Sequence, residues 1–136
     1  MKKLVVVAAI TIFGLTACST DQTETKASKE LTTAQEAQSK AQTDNKGSLL
    51  FFMNPNGRPC QMQDQYLNEI RSKIDEVAEV IYIRTTEPND KSLFYKYGIR
   101  SLPSMIILDE NENIAQRFSP GIQSPTSILE ALKAVL

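Results

Sequence analysis

Hydrophobic and polar positions divide the chain into three stretches of different character. An apolar run of ten residues, 4–13, follows two lysines at the start of the chain. Residues 19–47 are almost wholly polar, and Leu31 is their only large apolar side chain. From residue 48 onward, apolar runs of strand length alternate with segments whose apolar residues recur every three or four positions. The pattern predicts a leader, a solvated tether and one folded domain at 48–136.

The folded stretch predicts the element order strand, helix, strand, helix, strand, strand, helix. Continuous apolar runs indicate strands that are covered on both faces. These runs are at residues 48–53, 80–83 and 104–108, and a fourth strand is predicted at 114–118, after the polar turn. The first two strands need a crossover connection and are therefore expected to be parallel, whereas the polar turn at 109–113 makes the last two antiparallel. We expect an α/β fold with three α/β/α layers and a mixed four-stranded sheet.

Helix signals lie between these strands. Pro59 suits the first turn of a helix, where a missing N–H costs nothing. The apolar face predicted for this helix comprises Met62, Tyr66, Leu67, Ile70, Ile74 and Val77. A short helix is predicted at 89–97, with Leu93, Phe94 and Tyr97 facing inward and Gly98 at its end. Ser124 is predicted to cap the last helix, with Pro125 at its first position.

The start of the chain carries an export signal. The ten-residue apolar run is shorter than the ~20 residues that a membrane-spanning helix needs, but it has the length of a signal-peptide core. The next residues, Leu15-Thr16-Ala17-Cys18, resemble the lipobox of bacterial lipoproteins. The resemblance implies a signal peptide at 1–17, lipid on Cys18, and a lipid-anchored tether at 18–47. The alternative is an ordinary secretory signal with a chance cysteine.

The resemblance to lipoproteins also implies a location. Lipid at Cys18 would anchor the chain to the cell envelope of a bacterium. The residue after it is Ser19 and not Asp, which by resemblance to Gram-negative lipoproteins implies the periplasmic face of the outer membrane.

Composition excludes several kinds of chemistry. Fifteen basic and sixteen acidic residues give a net charge of −1, so nucleic acid is not an expected partner. The chain has no His, which excludes Ser-His and Cys-His catalysis and removes the commonest metal ligand. Glu112 and its acidic neighbours are interpreted as an exposed turn, and we predict neither a metal nor a cofactor. The two cysteines, Cys18 and Cys60, are the remaining candidates for reactive residues.

Two segments resemble thioredoxin. The apolar strand that leads into Gly57-Arg58-Pro59-Cys60 is similar to the strand and Cys-x-x-Cys helix start of that family. Lys96-Tyr97-Gly98-Ile99-Arg100-Ser101-Leu102-Pro103-Ser104 is similar to the segment around its cis-proline, with Pro103 in the proline position. The resemblance implies a thioredoxin-like fold, and it implies that Leu102 and Pro103 bind an extended peptide through the backbone. The family's first strand and helix lack a clear counterpart, so either the end of the tether supplies them or the domain is shortened.

The motif departs from the family at its reactive centre. Gly57 stands where the family has its attacking cysteine, Cys60 stands at the resolving cysteine, and Asn56 replaces the usual Trp. Phe51 stands where the family has a buried acid. A dithiol cycle needs two thiols that can reach each other. Such a cycle within one chain is therefore excluded if Cys18 is lipidated, whereas an unlipidated Cys18 paired with Cys60 would overturn this interpretation.

Three functions stay open at this stage. Cys60 could act as a single thiol at a helix start. Gly57 would leave the thiol unshielded, and the positive charge of Arg58 would lower its pKa. Any enzyme activity would then be that of a monothiol thiol–disulfide oxidoreductase. The alternative is an inert cysteine under Pro103 in a non-catalytic module that binds client peptides at the cis-proline surface. The third possibility is a structural lipoprotein. The expected partners are protein or peptide thiols and disulfides, and the membrane through the anchor.

Overall fold

The computed structural model describes Ala34, residues 36–38 and residues 46–136. The predicted signal peptide, Cys18 and most of the predicted tether lie outside these residues and stay predictions. Within the described part of the chain, no helix has the length and apolar character needed to cross a bilayer.

Four strands form one mixed sheet in the order β2-β1-β3-β4. The strands are β1 (Gly47–Met53), β2 (Ala78–Arg84), β3 (Ser104–Leu108) and β4 (Ile114–Arg117). β1 pairs in parallel with β2 and antiparallel with β3, and β3 pairs antiparallel with β4. The predicted strands and their directions are confirmed, with ends that differ by one or two residues.

The helices lie in the predicted places. They are α1 (Arg58–Glu69), α2 (Arg71–Ile74), α3 (Lys91–Lys96) and α4 (Pro125–Val135), and a 3₁₀ turn, Pro88–Asp90, leads into α3. Ser124 caps α4 as predicted, since its side chain accepts a hydrogen bond from the N–H of Ser127. Gly98 follows α3 with a φ of 63°, a left-handed conformation that glycine adopts without steric cost.

Alternate residues of β1 enter two cores on opposite faces of the sheet, as the pleat requires. On one face, Leu49, Phe51 and Met53 pack against buried side chains of α1, α2 and α4. On the other face, Leu50 and Phe52 pack against residues of α3. The predicted three-layer α/β/α architecture is confirmed.

The folded unit begins before the predicted boundary at Ser48. Ala34 and residues 36–38 are helical, and both Ala34 and Gln38 are buried. Ala34 belongs to the α3-side core, and Gln38 Nε2 lies 3.4 Å from the hydroxyl of Tyr97. The prediction of a solvated tether up to Gly47 is therefore wrong for these residues. They pack because a small Ala and an amide that finds a partner can be buried without a large apolar side chain.

The buried face of α1 also differs from the predicted one. Met62 is 39% exposed, and Val77 lies beyond α2 and is 37% exposed. The buried positions follow the spacing three, four, three, four, and they are Cys60, Gln63, Leu67, Ile70 and Ile74. The helix is rotated from the predicted face because its core stripe includes the polar Gln63, which finds hydrogen-bond partners inside the protein.

Candidate functional site

The loop from Asn54 to Gly57 joins β1 to α1 and is shaped by its own hydrogen bonds. Asn54 Oδ1 accepts from the N–H of Asn56 at 3.0 Å, and the N–H of Gly57 donates to the Asn54 carbonyl at 2.9 Å. Gln61 Nε2 donates to the carbonyl of Pro55 at 2.9 Å. These contacts hold a tight turn, of the kind that Asn and Pro favour, at the start of α1.

Cys60 is the third residue of α1 and is buried, with an exposure of 2%. Its Sγ accepts a hydrogen bond from the N–H of Asn54 at 3.3 Å. The side chain belongs to the core that α1, α2 and α4 form against the sheet. The sulfur is therefore near the surface loop but is covered by it.

Because Gly57 has no side chain, a space of about the size of a methyl group lies beside the covered sulfur, and we call this space the opening. A Cβ built on this residue would lie 3.7 Å from Cys60 Sγ and 3.3 Å from the carbonyl oxygen of Asn54. Gly57 has an extended backbone, with φ −86° and ψ 118°, so its conformation does not itself require glycine. The missing side chain is what keeps the position next to the sulfur free.

Pro59 and Arg58 occupy the first turn of α1. Pro59 lies where the missing N–H leaves no helical hydrogen bond unmade, which confirms the predicted helix start. Arg58 is exposed, and within the described residues it forms neither an ion pair nor a side-chain hydrogen bond. The structure gives Arg58 no direct contact that would fix its charge against Cys60.

The second motif lies beside the first. The Leu102–Pro103 peptide bond is cis, Pro103 is buried, and Leu102 is half-buried against the core that contains Cys60. In the antiparallel register of β1 and β3, Phe52 is opposite Ser104. β1 runs into the loop before Cys60 and β3 starts directly after Pro103, so the two sequence motifs lie at the same end of these two central strands.

Leu102 presents free backbone groups. Among the described residues, its N–H and C=O form no hydrogen bond to other backbone groups. The neighbouring turn is held without them, since the hydroxyl of Ser104 donates to the carbonyl of Ser101 at 2.6 Å. An extended peptide would find an unpaired donor and acceptor at Leu102, which are the groups used in strand addition.

A buried glutamine, absent from the sequence predictions, connects the two motifs. Gln63 is fully buried one turn after Cys60. Its Oε1 accepts from the N–H of Gln123 at 2.6 Å, and its Nε2 donates to the Gln123 carbonyl at 3.3 Å.

Gln123 ends a segment, residues 119–123, that we call the strap. Gly121 of the strap donates its N–H to the carbonyl of Pro103 at 2.9 Å. Gln63 thus holds α1 to the strap, which holds Pro103.

A second polar contact braces α1 against β2. The hydroxyl of Tyr82 donates to Asp64 Oδ1 at 2.8 Å, and the Tyr82 ring packs edge-on against Phe51 at 5.6 Å between ring centres. Burial, with the hydrogen bond and negative charge of Asp64, raises the pKa of Tyr82 to about 12. Phe51, which stands where the thioredoxin resemblance places a buried acid, therefore packs against a tyrosine whose hydroxyl binds the carboxylate of Asp64.

Within the described residues, no three His, Cys, Asp or Glu side chains come close enough to hold a metal ion.

Comparison with known proteins identifies the family of this fold. The family model described as a thioredoxin-like domain matches residues 34–136. The structure of thioredoxin-2, a component of the malaria parasite protein secretion machinery, is 20% identical over 66% of this chain and 84% of its own, with a TM-score of 0.60. The oxidised C-terminal domain of DsbD from Neisseria meningitidis is 19% identical over 74% and 91% of the two chains, with a TM-score of 0.59. StoA from Bacillus subtilis is 14% identical over 64% and 82%, with a TM-score of 0.54. At these identities the likeness to the solved structures shows a shared fold.

Proposed function

Because the chain belongs to the thioredoxin-like family, we propose that it exchanges thiols and disulfides of client polypeptides through a single sulfur, that of Cys60. The observation that carries this proposal is the position of Cys60 Sγ, bonded to the N–H of Asn54 at 3.3 Å and next to the space that Gly57 leaves free. An approaching client sulfur would occupy that space. The N–H of Asn54 would stabilise the charge that the Cys60 sulfur carries when it attacks.

The reaction has two steps. The Cys60 thiolate attacks a client disulfide, forms a mixed disulfide with one client sulfur, and releases the other as a thiolate that takes up a proton. An external thiol then attacks the mixed disulfide, forms a disulfide with the client sulfur, and returns Cys60 to its reduced form. The net result is an exchange of disulfide partners, and the second thiol comes from outside the domain because position 57 is glycine.

We also propose that this reaction takes place in the bacterial cell envelope, with the chain anchored through lipid on Cys18. The lipobox-like residues 15–18 and the polar residues that follow them support this location. Expression in a bacterium with labelled fatty acid tests it. The wild-type chain should carry the label and fractionate with membranes, and Cys18→Ser should lose both properties. An unlabelled wild-type chain would refute the anchor.

A second candidate function is a module that binds client peptides without thiol chemistry. Two observations favour it: Cys60 is only 2% exposed, and the backbone N–H and C=O of Leu102 are free within the described residues. In this case Pro103, Leu102 and the strap would hold an extended peptide, and the sulfur would be part of the core.

One experiment separates the two functions. The reduced Cys18→Ser chain, which keeps only Cys60, is mixed with a peptide disulfide, and the adduct is measured by mass spectrometry over time. Exchange predicts a mixed disulfide that an added small thiol releases, and Cys60→Ser provides the matched control for the reacting sulfur. If the folded chain forms no adduct while the unfolded chain reacts readily, the exchange function is refuted and the binding module remains.

A further inference from the structure

Two arginines line one cleft beside the Leu102–Pro103 turn. The cleft has a volume of about 210 Å³, and Arg100 and Arg117 are on its walls together with the serines at 101 and 104. Ile99 and Phe118 contribute apolar surface, and no Asp or Glu lines the cleft. Its lining therefore combines two positive charges with hydroxyl and apolar groups.

Neither arginine has a carboxylate partner within the described residues. Arg71 forms the one ion pair found there, with Asp75, and Arg84 lies over the ring of Tyr82. The whole chain carries a net charge of −1, so two unpaired arginines in one cleft are a local concentration of positive charge and not a general property of the surface.

One of the two guanidinium groups is already held in place. Arg117 Nη1 donates to the carbonyl of Tyr97 at 2.8 Å, at the end of α3. A guanidinium has five N–H donors, so this bond leaves others for a ligand. A side chain that is fixed before binding loses less conformational freedom when a ligand arrives.

The cleft continues the surface on which a client peptide would lie. Ser101 lines it and directly precedes Leu102, whose backbone groups are free. Pro120 also lines it, and the next residue, Gly121, bonds to the carbonyl of Pro103. An extended chain advances about 3.3 Å per residue, so a client paired with Leu102 reaches the cleft with its next one or two side chains.

We propose that this cleft binds a carboxylate side chain of the client, so that the protein selects polypeptides with an Asp or Glu close to the segment paired with Leu102. A planar carboxylate matches the forked donors of arginine and forms charge-assisted hydrogen bonds with them. The inference rests on the proposed client surface at Leu102 and Pro103, and it adds the chemical class of the residue that is recognised there.

The test measures binding without thiol chemistry. Full-length Cys60→Ser protein, isotopically labelled for nuclear magnetic resonance, is titrated with three extended peptides that differ only in having Glu, Gln or Lys at one position. The Glu peptide should bind about tenfold more tightly than the Gln peptide, with the largest amide shifts at 98–101 and at Arg117. Arg100→Glu should reverse the preference towards the Lys peptide.

Two controls isolate the cleft. Lys133→Glu makes the same charge change on an exposed residue of α4, away from the cleft, and should leave the order of the three affinities unchanged. Arg117→Lys keeps the charge but removes the fork, and it should weaken the Glu peptide selectively. If a change at Arg117 unfolds the end of α3, the Arg100 variants still test the cleft, because the Arg100 side chain forms no hydrogen bond within the described residues.

The outcomes distinguish this inference from the proposed exchange reaction. Equal affinities for the three peptides, or an unchanged order in Arg100→Glu, would overturn the carboxylate cleft, as would the absence of any peptide binding. A clear preference for Glu in a chain whose Cys60 forms no mixed disulfide would support the cleft and overturn only the exchange reaction.

Discussion

The segment around Cys60 and the turn that carries Pro103 lie at the same end of two paired strands, but different interactions hold them. The loop at 54–57 depends on short-range hydrogen bonds, and it covers the sulfur of Cys60 in α1. The turn depends on distant residues, since Gly121 bonds to Pro103 and Gln63 bonds both backbone groups of Gln123. In this chain the thiol half of the site (residues 54–60) contains one sulfur, whereas the proline half (residues 101–104 and the strap) is fixed through contacts with distant parts of the chain.

This difference indicates where sequence change is tolerated. A residue of the loop at 54–57 is expected to be replaceable without loss of the fold, because its hydrogen bonds stay within the loop and the start of α1. A residue that links the strap to α1 has partners in two elements, and its loss affects both. The proposed client surface is therefore expected to persist when the thiol chemistry is altered.

The largest expected effect comes from restoring the second sulfur. In Gly57→Cys the new Cβ would lie 3.7 Å from Cys60 Sγ, close enough for a disulfide after a small rotation of the side chains. We expect the oxidised variant to lose the mass of two hydrogens and to gain catalytic reduction of a peptide disulfide with a dithiol as electron source. The Cys18→Ser chain with Gly57 unchanged should turn over much more slowly in the same assay, because each mixed disulfide then waits for attack by the external thiol.

Gly57→Ala is the matched control for this variant. Its methyl group fills the opening without adding a sulfur, so the alkylation of Cys60 should slow several-fold while the fold is kept. If alanine leaves the alkylation rate unchanged, the sulfur is reached by another route and the opening at Gly57 is not the access path. If Gly57→Cys forms no internal disulfide, the placement of Gly57 beside the Cys60 sulfur described here is wrong.

The next largest effect is expected at Gln63. Replacing it with Ala removes two hydrogen bonds and leaves the N–H and C=O of Gln123 without their partner, so the free energy of unfolding should fall by about 2–4 kcal/mol. Denaturant unfolding measures this loss. Gln65→Ala changes an exposed glutamine of the same helix and should change the stability by less than about 0.5 kcal/mol. Equal small effects at both positions would show that the strap is held by other contacts.

Asn54 tests the thiol half in the same way, with a smaller effect. Asn54→Ala removes the acceptor that the N–H of Asn56 uses at 3.0 Å, and it should cost about 1 kcal/mol of stability. Because the turn then opens more often, the alkylation of Cys60 should become faster. Asn56→Ala in the same turn keeps the Asn54 acceptor, so stability and alkylation should stay close to those of wild type. A slower reaction in Asn54→Ala would contradict a covering role for the loop.

Much of the fold could be predicted from local patterns, and the failures have identifiable causes. Continuous apolar runs located β1, β2 and β3 because strands covered on both faces carry few polar residues, whereas β4, which is mostly exposed, followed from the polar turn before it. The resemblance around Pro103 located the cis peptide bond, and Gly98 marked the end of α3. The buried face of α1 was predicted only in part, because hydrophobicity alone excludes Gln63, and its partner, Gln123, is sixty residues away in sequence.

The assignment of Gly57, Cys60, Leu102 and Pro103 to one site stays a prediction, and the structure adds links that the sequence did not indicate. Leu102 packs against the core that contains Cys60, on the strand that pairs with β1. The covering of the sulfur by Asn54 could not be predicted, because a backbone N–H leaves no trace in the side-chain pattern. The burial of Ala34 and Gln38 was also missed, since a helix with small and polar residues on its packed face resembles a tether in composition.

The smallest expected effect concerns the brace between α1 and β2, and it depends on pH. The pKa of Tyr82 is about 12 in the folded chain, against about 10 for an unperturbed tyrosine, so the folded state holds the phenolic proton more tightly. The stability that this provides is fully present below pH about 10 and is lost as the pH rises through about 12. Asp64→Asn removes the carboxylate that helps to raise the pKa of Tyr82, and the ionisation should move to lower pH while burial keeps the pKa above the ordinary value.

Phenolate absorbance during an alkaline titration measures the shift of the Tyr82 pKa. The absorbance change near pH 12, which we call the late component, should be missing in Tyr82→Phe, and this identifies it as the ionisation of Tyr82. Tyr95→Phe removes a tyrosine that is 85% exposed and should leave the late component unchanged. If Asp64→Asn titrates as wild type does, Asp64 does not contribute to this brace, and the thiol half is held to the sheet by apolar packing alone.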